Sequence, residues 1–87
     1  MKMYSVYDQK AECYGQPVFF KAHGEALRQL EVEARNKETL IGAHPEDFIL
    51  FYVGCFDIAS GVLIAEDPPL VLSRVSDLLP PSESSSA

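Results

Sequence analysis

Phe48-Ile49-Leu50-Phe51-Tyr52-Val53-Gly54-Cys55-Phe56 runs without a single charge. Apolar side chains stand on both parities of this run. A strand here has both faces covered, which predicts a central strand. Pro45 restrains His44 to an extended backbone, so the chain approaches the strand in extended form. Asp57-Ile58-Ala59-Ser60-Gly61 reads as a tight turn, with Gly61 free to take positive φ. Val62–Ala65 returns as an antiparallel partner, and Pro68-Pro69 ends the sheet. His44–Leu63 is thus an extended approach, a buried aromatic strand and a hairpin turn.

Upstream, Met3-Tyr4-Ser5-Val6-Tyr7 is rich in β-formers and predicts a first strand ending near Asp8. Ala11–Gln16 is a connection, and Val18-Phe19-Phe20 after Pro17 is a short edge strand. Gly24–Asn36 is the one clear helix, with Ala26, Leu27, Leu30 and Ala34 on one face. Glu31 and Arg35 stand four apart in the favourable order, worth about 0.3–0.5 kcal/mol. Glu38–Gly42 reads as a loop or a fraying last turn. The element order is β-β-α-β-β. The fold class is α+β, a mainly antiparallel sheet of three to four strands backed by one amphipathic helix. Residues 1–69 form this domain, 70–79 a C-terminal helix or arm, and 80–87 a Pro/Ser-rich disordered tail.

The chain has 87 residues, 47% of them apolar. That suffices for one core, not for a core and a deep substrate cleft. No segment approaches the roughly 20 apolar residues that span a bilayer, so no membrane role is expected. The N-terminus lacks the apolar stretch of a secretory signal. Cys13 and Cys55 stand apart and are read as reduced thiols of a cytoplasmic protein. The net charge is −6, unevenly spread. Residues 1–37 hold Lys2, Lys10, Lys21, Arg28, Arg35 and Lys37 against five acids, a balance of +1; residues 38–87 hold Arg74 against eight acids, a balance of −7. Any surface that attracts phosphate is therefore expected in the N-terminal half.

Chemistry-bearing constellations are sparse. His23 and His44 are the only histidines, too few for a zinc site with isolated cysteines. Glu46, Asp47, Asp57, Glu66 and Asp67 cluster near the hairpin ends but lack calcium-loop spacing, and read as solvated acids. Ser60 has no base in its sequence context, and Gly54 and Gly61 are isolated. No catalytic residue, metal or cofactor is expected, and the chain does not read as an enzyme. Phe48, Phe51 and Phe56 read as core. Tyr4, Tyr7 and Tyr14, near Lys2 and Lys10, read either as core or as an edge or interface that stacks bases.

Taken in order, Tyr4–Ala11, Pro17–Phe20, Glu25–Arg28, His44–Gly54 and Phe56–Gly61 resemble the small non-structural protein of gokushoviruses, single-stranded DNA phages of the Microviridae. The Pro-Glu-Asp-Phe run leading to Gly54 and the Phe-Asp…Gly turn carry most of the likeness, which covers about residues 3–66. The resemblance implies a viral protein of the host bacterial cytoplasm, absent from the mature virion. It further implies DNA binding without catalysis, during the switch to single-strand synthesis and packaging. On this reading Lys2, Lys10, Lys21, Arg28, Arg35 and Lys37 contact phosphates of single-stranded DNA, and Tyr4 or Tyr7 stacks, in a homodimer. The acidic C-terminal half suggests instead a protein-binding adaptor of phage or host replication or assembly proteins.

Overall fold

A computed structural model describes residues 1–80. The expected disordered tail lies, from 81 onward, outside the described residues. Five strands and two helices follow in the order β1 (Lys2–Asp8), β2 (Cys13–Tyr14), β3 (Val18–Phe20), α1 (His23–Arg35), α2 (Leu40–Ala43), β4 (Phe48–Phe56) and β5 (Leu63–Arg74). Single 3-10 turns cover Pro45–Asp47 and Val75–Leu78. All strand pairs are antiparallel: β4 lies between β1 and β5, and β2 and β3 both pair with the far side of β1. The α+β class and the central position of β4 match the sequence reading.

One face of the sheet carries the core. Tyr4, Phe48, Leu50 and Val75 are buried there against Ala26, Leu30 and Ala34 of α1. The small alanines, spaced at helical intervals, let α1 lie close to the strands. On its outer surface the Arg35 guanidinium bonds Glu31 at 2.9 Å.

The chain departs from expectation at five places. Cys13-Tyr14, expected within a connection, pairs with Asp8 and Tyr7 as β2. His44 is not extended, at φ −136° and ψ 59°, and Pro45 opens a 3-10 turn instead. A proline suits that first position because its missing N–H has no partner to lose there. Residues 40–43, expected as a loop or fraying turn, form a short helix capped by Thr39, whose hydroxyl accepts from the Gly42 N–H at 2.9 Å. Pro68-Pro69 interrupts the sheet without ending it. Ala65 pairs with Gly54 and Leu70 with Tyr52, so Glu66-Asp67-Pro68-Pro69 bulges out opposite Val53. An edge strand tolerates this because only one of its sides needs N–H donors. Finally, Leu70–Leu79 is no appended helix or arm. Residues 70–74 belong to β5, and Val75 is fully buried in the core.

Gly61 closes the β4–β5 turn at φ +75°, as its sequence context implies. Gly54, at φ +154°, marks the irregularity in β4 where register shifts against both neighbours. A Cβ there would collide with the Ile64 carbonyl. Gly54→Ala is therefore expected to cost about 2–4 kcal/mol through steric clash and backbone strain, read as a fall in the urea midpoint at unchanged slope.

Candidate nucleic-acid interface

Alternation along β1 turns Tyr4 and Val6 toward α1 and sends Met3, Ser5 and Tyr7 to the opposite face. Among the described residues no helix covers that face. Ser5 pairs with Phe51, Tyr7 pairs with both Tyr14 and Ile49, and Phe51 pairs with Val71, so all of these share it. The apolar run of β4 thus has an unexpected cause. Its second face is not covered by another layer but by its own aromatic neighbours.

Tyr7, Tyr14 and Phe51 form a triangle there. Ring centroids stand 4.7 Å apart for Tyr7 and Tyr14, 5.3 Å for Tyr14 and Phe51, and 6.2 Å for Tyr7 and Phe51. These spacings and tilts are those of favourable aromatic pairs. Tyr14 is 48% exposed on the edge strand, while Tyr7 and Phe51 are half-buried. Ser5, the polar residue beneath them, is satisfied by donating its hydroxyl to the Gly15 carbonyl at 2.8 Å. Further along the same face Phe19 meets Phe56 at 6.4 Å.

Tyr4 takes no part in this platform. It is fully buried, and its hydroxyl lies 2.7 Å from His23 Nδ1 in a hydrogen bond. The expectation that Tyr4 stacks bases is corrected for that reason, and β1 is an interior strand rather than an edge. His23, at the start of α1, also packs against Tyr52 at 5.1 Å and helps close the core. Burial raises the phenol pKa of both Tyr4 and Tyr52.

The six expected phosphate contacts do not gather on one surface. Lys2 and Lys21 meet at one end of the molecule, beside Asp57 and Phe56. The Asp57 carboxyl is held below its ordinary range, chiefly by the Ala59 N–H and then by the Ser60 hydroxyl. Lys10 lies at the other end of β1, among Asp8, Glu46 and Asp47. Arg28 and Arg35 sit exposed on α1, and Lys37 just beyond it, on the side of the sheet away from Tyr7. Arg74 is the cation that composition hid. It pairs with Ile49, which pairs with Tyr7, so the three form one row across the open face. At ~4.8 Å per strand its backbone stands about 10 Å from that of Tyr7. Its place in the acidic half of the chain masked it, and only strand register could have revealed it.

The geometry also joins residues read separately as solvated. His44, Glu46 and Asp47 bring one potential ligand atom each within 4.8 Å of one another. All three are on the surface or half-exposed, and the group numbers three among the described residues. Between α1 and the sheet lies an apolar cleft of about 260 Å³, lined by Val6, Phe20, Leu30 and Leu50 with Glu33 at its border. Cys13 and Cys55 are free thiols. No described helix is long and apolar enough to cross a membrane.

Fold and surface together define a small α+β protein whose antiparallel sheet is covered on one face and presents aromatic side chains on the other. The chain belongs to the Phage ORF5 protein family, whose model matches residues 1–78. It is thus a bacteriophage protein. Neither the curated proteins nor the solved structures contain a match to it.

A charge-reversal pair separates the two faces. If the open face is the binding surface, Arg28→Glu with Lys37→Glu leaves affinity for a labelled single strand within about twofold, since charges beyond a Debye length of ~10 Å are screened. Arg74→Glu is expected to weaken it about tenfold, both measured by fluorescence anisotropy at low salt.

Proposed function

We propose that the chain is a non-catalytic accessory protein of a gokushovirus-type phage that binds single-stranded DNA across the open face of its sheet. The observation that carries this reading is the Tyr7–Tyr14–Phe51 triangle on a face that no described helix covers. Successive bases stack on such side chains without regard to sequence, because every base has a π-face. Arg74, in the same strand row, and Lys10, beyond the end of β1, are the cations nearest the platform. The resemblance to gokushoviral non-structural proteins supports action in the host bacterial cytoplasm. The stage would be the switch from duplex replication to single-strand synthesis and packaging, without entry into the virion.

Few phosphate contacts imply a shallow salt dependence. With two or three phosphates neutralised, the slope of log K against log salt is about −1.4 to −2.1 for a single strand. Anisotropy of a labelled oligothymidylate tests this. Binding at low salt that weakens by about tenfold on a fourfold rise in salt fits the proposal. No binding at low salt sinks it.

A second reading, an adaptor for phage or host replication or assembly proteins, is favoured by residues 57–73. This stretch holds Asp57, Glu66 and Asp67 and no Lys or Arg. It is a surface for protein rather than for DNA.

A further inference from the structure

The exposed apolar residues of this chain concentrate on the outer half of the β4–β5 hairpin: Ile58, Val62, Leu63, Ile64, Leu70 and Val71. Leu63 and Ile58 keep 64% and 75% of their surface in water. The molecule measures 50 × 25 × 20 Å, and every residue from Asp57 to Val71 is exposed. A two-stranded hairpin that stands clear of the core is marginal by itself in water. The combined apolar surface of the six is on the order of 500 Å², at the upper end of what a monomer leaves exposed. Among the described residues β5 pairs only with β4, so its outer edge presents backbone N–H and C=O groups that no described strand pairs. The Glu66–Pro69 bulge blunts the middle of that edge and leaves Val62–Ala65 open.

We infer that this open edge pairs antiparallel with the same edge of a second copy, Leu63 of one copy opposite Leu63 of the other. Charge selects the occupant. With no cation between Asp57 and Ser73, the edge does not fit nucleic acid. A copy of itself fits, because residues 58–65 are uncharged and the acids fall outside the paired core. In this register Val62 faces Ile64 of the second copy, Glu66 faces its Ser60, and Asp67 faces its Ala59. No like charges oppose each other. A register centred on Leu72 instead sets Asp67 against Asp77 of the second copy, which like-charge repulsion disfavours. The contact is isologous, so it closes at two copies. An antiparallel strand pair has its two-fold axis perpendicular to the sheet, so one continuous sheet results and the two aromatic faces point the same way.

Sedimentation equilibrium of the full chain tests the inference. The expected mass is twice the 9.6 kDa of the chain. Leu63→Lys with Ile64→Lys should weaken association roughly a hundredfold, because two charges enter the desolvated centre of the contact. Both positions are exposed, so the circular dichroism spectrum should not change. A wild-type chain that remains at 9.6 kDa up to high concentration overturns the inference. A doubly substituted chain that stays dimeric also overturns it. If that variant misfolds, oxidation decides. In a Cys13→Ser, Cys55→Ser background, Leu63→Cys chains should form the disulfide-linked dimer on oxidation, and Leu70→Cys chains should not. Failure of the Leu63→Cys chains to form it rejects the register.

Discussion

Tyr4→Ala is expected to abolish folding at ambient temperature. The ring is fully buried between sheet and helix and packs against Phe20, Tyr52 and His23 at 6.0, 5.7 and 5.6 Å. Removing a buried aromatic costs about 3–5 kcal/mol. At about 0.05–0.15 kcal/mol per residue, a chain of this length has a total stability of similar size. Tyr4→Phe keeps the ring and deletes only the hydrogen bond to His23, so about 1 kcal/mol is lost. Urea denaturation of the two variants separates packing from hydrogen bonding. The same phenol predicts an alkaline limit. Burial is the main cause that raises Tyr4 above its ordinary value of 10.0, with negative charge on Tyr52 and Glu25 adding. A raised folded-state pKa means the stability is fully present below pH 10 and is lost as pH climbs from there through the folded value. Tyrosinate absorbance rising together with loss of structure is the expected record.

Tyr7→Ala with Tyr14→Ala is expected to remove most affinity for single-stranded DNA while the fold survives. Base–aromatic stacking is worth about 1–3 kcal/mol per base, so the double substitution should weaken binding about a hundredfold. Tyr14 is half-exposed at the sheet edge, and Tyr14→Ala alone should cost little stability and about tenfold in affinity. Arg74→Gln should instead flatten the salt dependence, changing its slope by about 0.7 per lost phosphate contact. Stacking and phosphate contact are thereby read on different axes of one titration.

The parts of the fold that follow from local chemistry were legible in the sequence. The uncharged run 48–56, the Asp57–Gly61 turn with its glycine, and the period of Ala26, Leu30 and Ala34 each reflect one element's own needs. What was not legible depends on pairing between distant segments. Nothing local shows that β5 resumes after Pro68-Pro69, because that depends on β4 offering Tyr52 to Leu70 across the bulge. The same limit governed the candidate site. An apolar residue facing a core and one facing an uncovered aromatic surface look alike in a sequence, so Phe51 reads as core and Tyr4 as either core or interface. Strand parity reverses the first and places the second in the core. Arg74 lies in the acidic half of the chain by sequence, while the sheet brings residues 7, 49 and 74 side by side.

Titration of isotope-labelled protein with a short oligothymidylate, followed by nuclear magnetic resonance, tests the proposed binding face most directly. Resonances of Tyr7, Tyr14, Phe51 and Arg74 are expected to shift together and saturably. Those of Arg28, Arg35 and Lys37 on the helix side should stay in place. Shifts confined to α1, or no shifts at low salt, would contradict the proposed face.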